Sequence, residues 1–167
     1  MSTKKPLILF VVFLFSVLFL VLNLDVAFAA QCGGDTKCEC GDLLNSSQTM
    51  WYDLTCSYPT PNGLNFWGNG DIILDCANHV ISGSGYGSGI AAQYGYGDRT
   101  ITNCNVNNFS GGISTFSRYS IYVNILNNDL TNNERGISVD SSNTTVLNNN
   151  LINNEVGISI SYGGDNA

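Results

Sequence analysis

Few side chains in this chain could do chemistry. The candidate carboxylates are Asp71 and Asp75 in "DIILD", Asp98 beside Arg99, and Glu134 and Glu155 in the similar segments "NNERGI" and "NNEVGI". A pair of carboxylates is the minimum for acid and base work on a glycosidic bond. Two like charges on neighbouring segments would raise one pKa or hold a cation such as calcium. The same glutamates also read as a solvated edge. No other cofactor is expected. His79, in "ANHVISG", is the only histidine, and Met50 is the one methionine after Met1. Copper needs soft or imidazole ligands, so His79 reads as a turn residue and no metal site is expected.

A second group is aromatic. Tyr94 and Tyr96, then Phe116 and Tyr119 with Arg118 between them, and last Tyr162 follow short "GI" bursts. Aromatic faces beside a few polar groups, here Arg99 or Arg118, suit flat sugar rings. Tyrosines next to glycine also pack over backbone and close loops.

The elements that would position these residues come from a repeat. "ITNCNVNNFSGGI" (101–113), "ILNNDLTNNERGI" (125–137) and "VLNNNLINNEVGI" (146–158) share one template, and "ILDCANHVISGSGYGSGI" (73–90) is a looser copy. Repeats of this length stack, because one unit cannot bury its own apolar face. Asn, Gly, Ser and β-branched residues are poor helix formers, and bursts such as "GISVD" alternate with the period of a strand. A parallel β-helix follows, with coils about 4.8 Å apart. Asn tolerates left-handed backbone, and its amide can donate and accept along a stack. Asn103, Asn127 and Asn148 are therefore expected to form one side-chain ladder, and Asn108, Asn132 and Asn153 another. Asp75 takes a ladder place in the loose copy and should cap it.

Cys76 and Cys104 hold the same template place in consecutive coils, within disulfide reach. Proximity and spacing pair Cys40 with Cys56 and Cys32 with Cys38. Zinc is the rival reading, but the spacing does not suit paired knuckles and there is one histidine.

The N-terminus has the layout of a secretory signal: Lys4 and Lys5, an apolar run from Leu7 to Leu22, and a small-x-small site at Ala27–Ala29. That run is short for crossing a ~30 Å hydrocarbon core, so a membrane is involved only if the segment is retained. Cleavage after Ala29 leaves a net charge of −8, which repels phosphate backbones and argues against nucleic acid. An even cysteine count after an export signal points to an oxidising, extracellular or cell-surface location. Asn45, Asn108 and Asn143 match the glycosylation acceptor pattern.

"CGDLLNSSQTMWYDLTC", "NGLNFWGNGDIILDCANHVISGSGYGSGI" and the "NNxxNNxxGI" coils resemble secreted right-handed parallel β-helix proteins of the pectin-lyase-like superfamily, over about residues 41–167. The most similar group shares its repeats with NosD-type periplasmic copper-binding proteins and with carbohydrate-binding and sugar-hydrolase domains. The resemblance implies an all-β, right-handed solenoid of about four coils. Residues 1–29 would be a cleavable signal helix, 30–70 a disulfide-pinned cap, and 71–167 the coils. "ISYGGDNA" stops inside a turn, so further coils or a partner are expected at that end. Function is expected to be non-catalytic: carbohydrate binding, on polysaccharide or surface glycan, or a surface structural element. The alternatives are a polysaccharide lyase or glycoside hydrolase, and a NosD-type copper-processing role, for which the ligands are lacking.

Overall fold

A computed structural model describes residues 30–57, 62–93, 95–116, 122–140 and 143–161. The segment read as a signal, 1–29, lies outside them. The described residues form seventeen short strands and no helix. The first two are β1 (Gln31–Cys32) and β2 (Asp42–Leu44). Five turns of three strands follow. The first turn is β3 (Gln48–Thr49), β4 (Leu54–Thr55) and β5 (Leu64–Phe66), and the second is β6 (Ile72–Asp75), β7 (Val80–Ser82) and β8 (Ser88–Ala92). The third is β9 (Arg99–Thr102), β10 (Asn105–Asn107) and β11 (Gly111–Phe116). The fourth is β12 (Val123–Leu126), β13 (Asp129–Thr131) and β14 (Arg135–Asp140), and the fifth is β15 (Thr144–Leu147), β16 (Asn150–Ile152) and β17 (Val156–Ile160).

Equivalent strands stack in parallel into three sheets. Sheet I runs β1-β2-β5-β8-β11-β14-β17, sheet II β3-β6-β9-β12-β15 and sheet III β4-β7-β10-β13-β16. The register is strict, as in Ile73↔Thr100 and Val106↔Leu130. Alternation sends one residue in two inward, so Leu64, Ile90, Ile113 and Ile137 form one buried row and Leu74, Ile101 and Ile125 another. Four coils follow Asp71, matching the template. Stacking nonetheless begins before it. Strands β2 to β5 already belong to the three sheets, so the expected cap at 30–70 contains a complete coil, and only the segment ahead of β2 lies over it.

Three disulfides join Cys32 to Cys38, Cys40 to Cys56 and Cys76 to Cys104, the pairs that spacing and template place indicate. Tyr52 pins the cap further: its hydroxyl accepts the Cys38 N–H at 2.5 Å and donates to the Cys38 carbonyl at 2.9 Å. Burial raises the phenol's pKa above its ordinary value.

The asparagine ladders are displaced by one residue from their expected places. Asn103, Asn127, Asn148, Asn108, Asn132 and Asn153 all take the left-handed backbone, with φ between 54° and 59°. They turn the corners, and the residue after each points inward. Thus Asn128 Oδ1 accepts the Cys104 N–H, and Asn149 Oδ1 accepts both the N–H and the amide of Asn128, at 2.9 Å each. Asn133 and Asn154 repeat this at the next corner, beginning from the Phe109 N–H. A left-handed residue reverses the side-chain alternation, which moves the ladder to its neighbour. Asn103 alone of the expected first row pairs as foreseen: its amide donates to Asp75 Oδ1 at 2.9 Å.

Candidate functional site

The triangular cross-section has three corners, and two of them serve the backbone. The corner from sheet II to sheet III holds the Cys76–Cys104 bridge and the Asn128–Asn149 ladder in one column. The corner from sheet III to sheet I holds Phe109, Asn133 and Asn154. The third corner, from sheet I to sheet II, varies in length, spanning 67–71, 93–98, 117–122 and 141–143. Variable connections on a rigid scaffold are where binding groups collect.

Large aromatic side chains are exposed at this third corner. Trp67 is 43% exposed, Tyr96 58%, Phe116 41% and Tyr122 59%. Trp67 and Phe116 each follow a buried strand residue, Phe66 and Thr115, so they point outward from the edge of sheet I. The paired register gives Phe116↔Asp140 and Asn65↔Ala91. Extended past the strand ends, it aligns Trp67, Gln93, Phe116 and Asp140 in one row along the solenoid. Beside the row, sheet I presents the half-buried Ser114 and Ser138 in register, while Ala91, their neighbour in the second coil, is buried. Of the residues first singled out, Tyr96 and Phe116 stand at this corner. Tyr94, Arg118, Tyr119 and Tyr162 lie outside the described residues.

Sequence reasoning missed Trp67 and Tyr122. For Trp67 the signal was present: "LNFWG" places it one residue past the inward Phe66, as "ISTF" places Phe116 past Thr115.

Arg99 is not part of an exposed strip. It is fully buried and faces inward in the column of Ile72 and Val123. Its guanidinium donates to the carbonyls of Gly70 at 2.5 Å and Gly68 at 2.7 Å, and it lies 5.9 Å from the Phe66 ring centroid. Burial pushes its pKa down, and Asp71 and Asp98 pull it back up. The same two carboxylates knit the corner. Asp71 accepts the Asp98 N–H at 2.9 Å, and Asp98 accepts the Tyr122 N–H at 3.4 Å.

The four candidate catalytic carboxylates fall at three different corners. Asp71 is at the aromatic corner. Asp75 is at the corner from sheet II to sheet III, where its Oδ1 accepts the Ala77 N–H. Glu134 and Glu155 alone share a site, a groove of about 790 Å³ lined also by Gly83, Ser84, Asn108 and Asn132. Within it, Glu134 is held by the Ser110 hydroxyl at 2.7 Å and by Arg135 at 3.0 Å. His79 Nδ1 lies 2.9 Å from Asp53 Oδ1, which also accepts the Val80 N–H at 2.9 Å. The backbone hydrogen bond, then the His79 contact, hold the Asp53 carboxyl below its ordinary pKa. Met50 is buried, and all six cysteines are in disulfides.

The family model of the right-handed β-helix region matches residues 43–167. The chain belongs to that family. Neither curated proteins nor solved structures gave a match.

Proposed function

We propose that this is a secreted or surface-displayed β-helix module that binds polysaccharide without cleaving it, through the corner between sheets I and II. The observation that carries the reading is the outward pair Trp67 and Phe116, aligned on one edge, with Tyr96 and Tyr122 exposed at the same corner. Exposed apolar side chains scattered singly are ordinary, whereas several gathered on one edge mark an interaction site. Rings with polar neighbours such as Ser114, Gln93 and Asp140 fit a ligand that is apolar on its faces and hydroxylated on its rim. Export is supported by the signal-like N-terminus and three disulfides.

A lyase or hydrolase is the second reading, favoured by one feature, the groove shared by Glu134 and Glu155. Size-exclusion profiles of acidic and neutral polysaccharides, taken before and after incubation with the protein with and without calcium, separate the two. Unshortened polymer that co-elutes with protein supports the binding module. Shortened polymer would replace that reading with catalysis, and Glu134→Gln should then restore the long profile. Intact polymer without co-elution would leave a structural element.

A further inference from the structure

The geometry of the aromatic row goes further than "polysaccharide". Resting on the binding reading above, we infer that the ligand is an uncharged, extended β-linked polysaccharide that lies along the solenoid axis with one sugar per coil. The row has four places on consecutive coils: Trp67, Gln93, Phe116 and Asp140. Coils repeat at about 4.8 Å. A polysaccharide joined through equatorial bonds on opposite ends of each ring, as in β-1,4 linkage, is straight, advances by about the same distance per sugar, and turns its face over at each unit. The same ring face therefore recurs every second sugar, and the aromatic places recur every second coil, about 10 Å apart. Gln93 stands between the two rings and Asp140 beyond Phe116, so their amide and carboxylate meet ring edges, where hydroxyls need donors and acceptors. A bent, α-linked chain would leave this row after one or two units.

Charge narrows the class. The described charged side chains that face out at this corner are Asp71, Asp98 and Asp140, while Arg99 is turned inward. Such a rim disfavours polyuronates and sulfated chains.

Titration calorimetry with β-1,4-linked glucose oligomers of two to six units tests this. Affinity is expected to climb up to about four sugars, one per coil of the row, and then to level off. Trp67→Ala and Phe116→Ala should each weaken binding about tenfold. Phe116→Tyr should keep it, and Tyr86→Ala, at another corner, should leave it unchanged, with thermal melts confirming that each variant is folded. Affinity indifferent to length, or equal affinity for an α-linked glucan or a polyuronate, would overturn the one-sugar-per-coil geometry and leave the binding module standing. A Trp67→Ala/Phe116→Ala double variant that binds normally would overturn this geometry and also move the binding site away from the corner between sheets I and II. If no polysaccharide of any class binds, the binding module itself falls and this inference with it.

Discussion

At the scale of single residues, the paired asparagines divide two jobs that the sequence shows as one motif. The first of each pair takes the left-handed backbone, and the second turns its amide inward. Asn128 is 1% exposed; its amide donates to the Ile101 carbonyl at 3.1 Å and its carbonyl oxygen accepts the Cys104 N–H. Asn128→Ala strands these groups in the interior and should cost about 3 kcal/mol or more. Asn127→Gly keeps the positive φ and should stay within about 0.5 kcal/mol, while Asn127→Ala should cost about 1 kcal/mol. Urea melts of the three variants check the order; a reversed order would put the ladder back at Asn127. The repeat made the asparagine stacks legible but not their phase. A clue to the phase was available, because Cys76 and Cys104 must face inward to bridge and align with Asn128 and Asn149, not with Asn127. Asp53 gives a pH prediction at the same scale. Its folded pKa is lowered, so its contribution is complete above the ordinary carboxylate pKa and is lost as pH falls through the folded value. Melting temperature should therefore drop on acidification more steeply in the wild type than in Asp53→Asn, which keeps an oxygen for the Val80 N–H. Parallel pH profiles would remove Asp53 from the account.

At the scale of elements, the glycine ahead of the first inward side chain of each sheet I strand decides how closely one coil can stack on the next. Gly63, Gly89, Gly112, Gly136 and Gly157 fall in one row by register. A Cβ on Gly112 would lie 2.5 Å from the Gly136 carbonyl oxygen, and one on Gly136 would lie 2.7 Å from that of Gly157. Backbone on the next coil cannot step aside as a side chain can. Gly112→Ala should therefore cost about 1–3 kcal/mol. Gly111→Ala meets mainly the Ser114 hydroxyl at 2.7 Å, the end of a side chain that can rotate away from its hydrogen bond with Ser88, and should cost about 0.5 kcal/mol. Equal losses in chemical denaturation would mean that the coils shift to accept a methyl group. Strand positions in the regular coils were readable because their apolar residues alternate. The coil inside 42–66 escaped because β3 and β4 are two residues long and the connection between β4 and β5 is long, which breaks the template while keeping the stacking.

At the scale of the molecule, a solenoid is a line of neighbours, so a bond between coils acts locally. The Cys76–Cys104 bridge closes a separation of 28 residues and ties the second coil to the third. Chain-entropy reasoning gives such a loop about 3–4 kcal/mol of stabilisation. It continues the inward column of Asn128 and Asn149, so the bridge is the covalent start of a hydrogen-bonded row. Cys76→Ser/Cys104→Ser should lower stability by about that amount. By hydrogen exchange the loss should concentrate in β6 to β10, whose stacking it anchors, while β13 and β14 keep their protection through Asn133 and Asn154. The aromatic row spans both sides of this junction: Trp67 and Gln93 stand on the first two coils, and Phe116 and Asp140 on the next two. A loosened junction should therefore shorten the glucose oligomer at which affinity levels off, even though no side chain of the row has changed. Protection lost evenly over every coil would mean that the array unfolds as one unit, and an unchanged length dependence would mean that the row does not read across that junction.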